Sequence, residues 1–359
     1  MMDPEVSLLL DCAHWSGLLE HQVQVELSDR FNRQTDPLLE QHINRVWTER
    51  LSKEPWLFNG AKFRLHSFCL ASPEKLGCFQ SDCGEQQGGE TGQDRGDVNV
   101  INGCIRQTED GGGVSQVISQ PKHHPGSVLT LRLGLTCYKD YLGTNWSGEV
   151  AELRRRGQEE FGDPLALLAQ PLGVGAVLCT CDGQVVFIRR SQKVAEAGGL
   201  LDIPGGHPEP KAVCERLGEA AGEEQISLVM MQQRPDAVVS ELFSSICAEI
   251  RDEVNIPLSS LGAPVMMGIA LNHTSAGRPS SEFYISCSLS SDEVRTLYWK
   301  GGAEANESTD VVFLSTTEVM QLNRSSPLWS EMCPSAKGAM LLYQMVKPGE
   351  PSKPNREER

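Results

Sequence analysis

Hydrophobic and polar positions follow different spacings along the chain, and each spacing predicts a type of element. Over residues 5–58 apolar residues recur at the three- and four-residue intervals of amphipathic helices. Over 62–70 and 128–136 apolar and polar residues alternate, which predicts the two strands of one hairpin. We expect these elements to form a small N-terminal α/β domain from residues 1–71 and 128–165.

The segment 72–127 interrupts this domain with a different composition. It is rich in glycine, glutamine and acidic residues and contains very few large apolar ones. Such a segment cannot bury enough apolar surface to offset the entropy lost on ordering. We therefore predict a disordered insertion at the tip of the hairpin, which is tolerated because the cost of loop closure rises slowly with length. The tail at 348–359 is also predicted to be disordered.

A second block, residues 166–347, mixes strand and helix patterns. Asp182-Gly183 separates two apolar runs, and this dipeptide is a strong signal for a β-hairpin. Further strands are predicted at 264–271, 282–289 and 310–314, and helices at 239–254, 291–298, 317–323 and 334–346. Neighbouring hairpins among helices favour an α+β fold with a mixed sheet over a doubly wound fold.

Charge narrows the classes of partner. The chain has 32 basic and 48 acidic side chains and a net charge of −16. A protein that binds nucleic acid needs a positive surface to displace counterions, so we expect no nucleic-acid partner. No apolar window approaches the roughly 20 residues that span a membrane, and the acidic N-terminus does not resemble a secretory signal. We expect a cytoplasmic protein, with the nucleus as the alternative, and no membrane partner.

The segment 241–256 contains two interleaved rows of residues at four-residue spacing. The apolar row predicts the buried stripe of a helix: Leu242, Ile246, Ile250 and Val254. The polar row lies one position ahead, with Asp252 beside it: Glu241, Ser245, Glu249 and Glu253. Ionised carboxylates four residues apart repel each other, and Mg²⁺ between them removes the repulsion. A solvated acidic face explains the helix taken alone, whereas the upstream turn Pro204-Gly205-Gly206 favours a site for a diphosphate and its metal.

Together, the turn at 204–206 and the run 249–253 resemble the Nudix box. Ala248 replaces the arginine of that motif, Asn255 replaces its glycine, and residues 211–240 form an insertion within it. The resemblance implies a Nudix-type α/β/α sandwich. It also implies that Glu249 and Glu253 hold Mg²⁺ and that Asp252 belongs to the catalytic set.

Further segments on both sides of the insertion, among them 56–58, 134–146 and 189–197, resemble one atypical branch of this family, the animal UDP-glucose diphosphatases. The resemblance implies Mg²⁺-dependent hydrolysis of UDP-glucose or UDP-galactose to UMP and a sugar 1-phosphate. It also implies a set of substrate-binding residues: Phe58, Tyr138, Arg190, Ala195, Asp202, His207 and Glu209.

The residues leave the mechanism and the substrate partly open. Phe58 and Tyr138 are suited to sandwich a uracil ring, although aromatic residues at strand ends also serve as core. Three carboxylates are candidates for the general base: Glu253, Asp252 and Glu282. Two other functions stay open: hydrolysis of another linked nucleotide such as ADP-ribose, and nucleotide-sugar binding without catalysis.

Overall fold

The computed structural model describes residues 3–71, 100–104, 127–194, 196–219, 222–304 and 306–348, with the backbone alone at 100–104. Within them the strands are β1 (Val6–Asp11), β2 (Val23–Leu27), β3 (Ala61–Ala71), β4 (Val100–Cys104), β5 (Leu129–Cys137), β6 (Gly173–Cys179), β7 (Gln184–Arg190), β8 (Leu201–Asp202), β9 (Gly205–Gly206), β10 (Val265–Asn272), β11 (Arg278–Ser286) and β12 (Ser308–Ser315). The helices are α1 (Pro37–Lys53), α2 (Tyr138–Gly143), α3 (Val150–Phe161), α4 (Pro210–Arg216), α5 (Pro235–Val254), α6 (Ser291–Tyr298), α7 (Thr316–Gln321) and α8 (Pro334–Val346). None of these helices is long and apolar enough to cross a membrane.

The smaller sheet has the strand order β2-β5-β3-β4. Its centre is the antiparallel pair of β3 and β5, which confirms the predicted hairpin partners, while β2 runs parallel to β5. Helix α1 packs against α2 and begins at Pro37, after its cap residue Asp36. The Asp36 carboxylate accepts hydrogen bonds from the N–H groups of Leu38 and Leu39, both at 2.9 Å.

The helical interpretation of residues 5–58 is wrong at β1 and β2. Strand β1 pairs with β10 in the larger sheet, so the first residues of the chain leave the N-terminal unit. Short apolar runs such as that of β1 suit a strand as well as a helix, and here the edge of β10 supplies the partner.

Part of the segment predicted to be disordered also forms a strand, because β4 pairs antiparallel with β3. Backbone pairing at a sheet edge needs no large apolar side chains, so the composition gave no sign of it. The rest of the insertion, 72–99 and 105–126, and residues 349–359 of the tail lie outside the described residues.

The larger sheet has the order β1-β10-β11-β6-β7-β12, and the short strands β8 and β9 pair with β7 and β6. The pair β11–β6 is parallel and the other pairs are antiparallel, so the sheet is mixed as predicted. The turn at Asp182-Gly183 connects β6 to β7, with Gly183 at φ 76°. Strand β11 begins at Arg278, four residues before the predicted start, and this difference affects the site described below.

Two helices cover opposite faces of the larger sheet. Along β6, Val174, Ala176 and Leu178 belong to the core that contains the apolar stripe of α5. Val177 and Cys179, which alternate with them, pack in the core beneath α8. This layering confirms the predicted α+β sandwich. Helix α5 packs on the face of the sheet where it contacts β6 and the glycines of β9.

Candidate active site

The loop at 205–209 is attached to α5 by three backbone N–H groups that donate to three carboxylates of the helix. The hydrogen bonds run from Gly205 to Glu253 (2.9 Å), from His207 to Glu249 (3.3 Å) and from Glu209 to Glu241 (3.0 Å). From Gly205 to His207 the extended chain advances roughly 6.6 Å, and from Glu253 to Glu249 the helix advances about 6 Å. The two spacings match, so the first two hydrogen bonds form side by side. We call this arrangement the loop–helix ladder. Because of it, the acidic row of α5 faces the glycine loop and not the solvent.

Two glycines make room for carboxylates at this site. A Cβ atom on Gly206 would lie 1.9 Å from Oε1 of Glu249. A Cβ atom on Gly175 would lie 2.4 Å from Oε2 of Glu282. Both distances are far below van der Waals contact, so any larger residue would displace the acidic side chain. The backbone of the turn therefore approaches the acids as closely as glycine permits.

Burial shifts the ionisation of these carboxylates. Burial, and then the charge of Glu304, raise the pKa of Glu249 to about 7. Burial raises the pKa of Glu253 well above its ordinary value, against the opposing effect of the Gly205 N–H. Burial also raises the pKa of Glu282 to about 8. Buried carboxyl groups with raised pKa values gain most from a cation, because it compensates their ionised form.

The acidic residues offer oxygen ligands alone, which suit a hard divalent cation such as Mg²⁺. Both carboxylate oxygens of Glu282 are buried without a hydrogen-bond partner among the described residues. In the same part of the chain, no three His, Cys, Asp or Glu side chains gather into one metal-binding group. Mg²⁺ is commonly held by one or two carboxylates and completed by substrate phosphates, and Glu249 and Glu253 offer two carboxylates.

The ladder borders a cavity of about 450 Å³, which we call the acidic cavity. It is lined by Arg190, Asp202, Gly206 and Glu282, among others. Nη1 of Arg190 donates to Oδ2 of Asp202 at 3.0 Å, and Oδ1 of Asp202 accepts from the Ser335 hydroxyl at 2.9 Å. Arg190 and Asp202, both predicted to bind substrate, thus lie together on one wall of this cavity.

A second cavity, of about 410 Å³, lies beside the first, and we call it the aromatic cleft. Phe58 and Tyr138, the predicted pair, both line it, and Phe58 is 67% exposed. Tyr141 continues the aromatic wall, with its ring centroid 6.5 Å from that of Tyr138. The cleft and the acidic cavity adjoin each other, because they share three lining residues: Glu196, His207 and Arg278.

The other predicted site residues have different surroundings. His207 lies between the two cavities, and burial lowers the pKa of its imidazole well below the ordinary value, which keeps the ring neutral. Glu209 lines neither cavity, and its carboxylate accepts from Nζ of Lys62 at 3.0 Å. Asp252, like Glu249 and Glu253, lies off both linings, and the Arg251 guanidinium binds its two oxygens at 2.7 and 2.6 Å. Ala195 is outside the described residues.

Sequence reasoning missed Arg278 and Glu196, although both line the two cavities. Arg278, Ser280 and Glu282 are alternate residues of β11, so the two-residue period of the strand aligns them along the acidic cavity. The signal for Arg278 was this alternation, and it was lost because the strand was predicted to begin at Glu282. Glu196 lies in a connection whose sequence shows no periodicity.

Comparisons with known proteins show the family to which the chain belongs. No protein-family model matches the chain. Uridine diphosphate glucose pyrophosphatase NUDT22 of Bos taurus is 44% identical over 346 residues, which cover 96% of this chain and 99% of that protein. The Homo sapiens protein of the same name is also 44% identical, over 96% and 94% of the two chains. Nudix hydrolase 9 of Arabidopsis thaliana is 33% identical over 96% and 93%. Since these identities extend over nearly the whole chain, the chain belongs to the Nudix hydrolase family.

Proposed function

We propose that the chain hydrolyses the diphosphate of UDP-sugars, such as UDP-glucose and UDP-galactose, to UMP and a sugar 1-phosphate, with Mg²⁺ as its cofactor. The observation that carries the proposal is that the aromatic cleft adjoins the acidic cavity and shares three lining residues with it. A nucleotide sugar has the same sequence of parts: a flat base, two phosphates and a polar ring. The two mammalian relatives named as uridine diphosphate glucose pyrophosphatases support this substrate class.

The aromatic cleft provides the site for the uracil ring. Phe58 and Tyr138 line it together, and stacking of a base on an aromatic ring contributes about 1–3 kcal/mol. The sugar and its phosphate then enter the acidic cavity, where Asp202, Arg190 and the Gly205-Gly206 turn supply hydrogen-bonding groups. His207, whose ring stays neutral, separates the two ends of the substrate.

Glu249 and Glu253 are the residues that would hold Mg²⁺. Both are fixed by the loop–helix ladder, and both have pKa values raised by burial. When bound, the ion neutralises charge on the diphosphate and polarises the attacked phosphorus. Lys62 and Arg278 provide further positive charge beside the two cavities.

Glu282 is the best placed of the three candidates for the general base. Asp252 and Glu253 both lie off the linings of the two cavities; Asp252 is bound by Arg251, and Glu253 accepts the Gly205 N–H. Glu282 lines the acidic cavity with both oxygens unbonded among the described residues, and a raised pKa makes it a stronger proton acceptor. A water oxygen bonds to one phosphorus as the P–O–P link breaks, and Glu282 accepts the proton of the water.

We also infer a division of labour between the two parts of the chain. The unit built around the smaller sheet supplies Phe58 and Tyr138, and the unit at 166–347 supplies the carboxylates and the glycine turn. We propose a cytoplasmic location, with the nucleus as the alternative.

The test is ³¹P NMR of the protein with UDP-glucose and Mg²⁺, compared with Glu253→Gln, Asp252→Asn and an EDTA sample. We expect UMP and glucose 1-phosphate from the wild type and from Asp252→Asn, and none with EDTA or Glu253→Gln. Glu253→Gln keeps an oxygen for the Gly205 N–H, so it removes charge without breaking the ladder. Intact UDP-glucose in the wild-type sample would reject the proposal, and turnover of ADP-ribose in its place would identify the alternative substrate class.

A further inference from the structure

Arg278 occupies the junction between the aromatic cleft and the acidic cavity. Its side chain is 16% exposed, and it is the arginine that lines both cavities. If uracil lies in the cleft and the sugar in the cavity, the diphosphate must pass this point. The chemistry of Arg278 therefore determines how the middle of the substrate is bound.

The guanidinium of Arg278 keeps most of its donors available. An arginine has five N–H donors. Among the described residues, Nη2 of Arg278 donates to Glu196 at 3.3 Å, and Nη1 lies 3.5 Å from Nε2 of His207. Its buried Nε has no partner there. Both contacts are long, so the group can still turn a planar pair of N–H donors toward an oxyanion.

The other cations that line the two cavities have shorter ionic contacts. Arg190 binds Asp202 at 3.0 Å and also donates to the main-chain oxygen of Glu196 at 3.1 Å. Lys62 binds Glu209 at 3.0 Å. Since both of these charges are already paired closely, Arg278 is the cation best able to bind phosphate directly.

Glu196 is the anchor for Arg278. Oε1 of Glu196 accepts from the Tyr141 hydroxyl and lies 3.4 Å from that of Ser275, while Oε2 accepts from Arg278. The guanidinium also lies over the Tyr141 ring, with Cζ 5.9 Å from its centroid. Tyr141 and Glu196 thus hold the arginine from two directions.

We propose that Arg278 binds the diphosphate of the substrate and that Glu196 is a positioning residue that orients it. The proposal rests on the proposed function for the identity of the substrate, but it concerns a direct contact with phosphate oxygens. Arg278 distinguishes a nucleoside diphosphate from a nucleoside, which the aromatic cleft alone does not.

The test is isothermal titration calorimetry with uridine and with UDP, in EDTA, on the wild type, Arg278→Gln, Arg278→Lys and Glu196→Gln. We expect Arg278→Gln to weaken UDP binding about tenfold or more, as for loss of hydrogen bonds to a charged group, with uridine binding unchanged. Arg278→Lys keeps the positive charge but lacks the planar pair of N–H donors, so its loss of UDP affinity should be intermediate. Glu196→Gln should weaken UDP binding less than Arg278→Gln does and leave uridine binding unchanged.

Unchanged uridine binding also serves as the check that each variant is folded. Equal losses for uridine and UDP, or no loss for UDP, would overturn the proposal. The outcome is separable from that of the proposed function. A wild-type protein that cleaves UDP-glucose while Arg278→Gln binds UDP normally would refute the role of Arg278 alone. A wild-type protein that binds UDP through Arg278 without cleaving UDP-glucose would refute the activity alone.

Discussion

At the scale of single residues, the site depends on positions where a side chain must be absent. Gly206 is the clearest case, because the carboxylate of Glu249 occupies the space that a Cβ atom would need. The Pro-Gly-Gly sequence indicated a tight turn and a close approach to a ligand. It did not indicate that the approaching group is an acid of the same chain. That acid, Glu249, lies far along the sequence, 42 residues after His207, whose N–H it accepts.

We predict that Gly206→Ala will lower Mg²⁺-dependent activity at least about tenfold, because Glu249 must leave its position to avoid the new methyl group. Steady-state kinetics over a series of Mg²⁺ concentrations will measure the change. Gly148→Ala is the matched control, since a Cβ atom at this position would meet no atom of the described residues within 4 Å and its φ is not positive. Normal activity of Gly206→Ala would mean that the placement of Glu249 does not matter to turnover.

A second residue-scale prediction concerns pH. Burial, and then the charge of Arg64, lower the pKa of His66 to about 4, while the imidazole contacts the Ser67 hydroxyl at 2.9 Å. In the unfolded chain a histidine titrates at about 6.5, well above this value. Between these values the unfolded state binds more protons than the folded state, so the free energy of unfolding falls as the pH decreases.

We therefore expect the wild type to lose more stability between pH 7 and pH 5 than His66→Gln does. Urea unfolding at the two pH values will measure the difference, with the exposed His21→Gln as control. Identical pH dependence of the wild type and His66→Gln would exclude the histidine as the cause.

At the scale of elements, periodicity predicted the two rows of α5, its apolar stripe and its acidic face. The segment that the acidic face contacts was not predictable, because the contact is made by hydrogen bonds between residues 32 to 48 positions apart. Strand β11 shows the opposite error. Its core residues were recognised, but its polar first half, which carries Arg278, resembled a loop.

We predict that Glu241→Ala will destabilise the fold as well as the site. Glu241 is 4% exposed and accepts from the Glu209 N–H and from Arg216. Removing it leaves a donor without its partner, at a cost of about 1–3 kcal/mol. Urea unfolding will measure this loss, and Ser244→Ala, at an exposed position of the same helix, should show none. Equal stabilities would show that this rung of the ladder is dispensable.

At the scale of the whole molecule, residues from both sheets line the two adjoining cavities. Alternation predicted β3 and β5, and apolar runs, two of them separated by Asp182-Gly183, predicted most strands of the larger sheet. Strand β1 was missed because its pairing with β10 joins residues about 260 positions apart, as the partners Val6 and Asn272 illustrate. No local spacing reports such a contact.

The insertion gives a prediction at this scale. Among the described residues, those that line the two cavities all lie outside 72–127, so we expect the site to work without this segment. Since Ala71 pairs with Val100, replacing 72–99 by Asn-Gly should close a two-residue hairpin and keep β4 in place. Turnover of UDP-glucose by this variant should match that of the wild type. A loss of turnover in a protein that still binds uridine would assign the segment a role in catalysis.

The loop–helix ladder separates the geometry of the site from the connectivity of the chain. Its rungs hold 205–209 against α5 whatever the length of the stretch between them, so that stretch can grow or shrink during evolution without moving a carboxylate. A sequence motif with fixed spacing requires a set number of residues between its parts, and the roughly 30 residues inserted here change that number. Distant relatives of this chain are therefore better sought by the hydrogen bonds between a Pro-Gly-Gly turn and an acidic helix than by a string of residues. The same freedom marks the connection from α4 to α5 as a position where a reporter peptide could be inserted with the site intact.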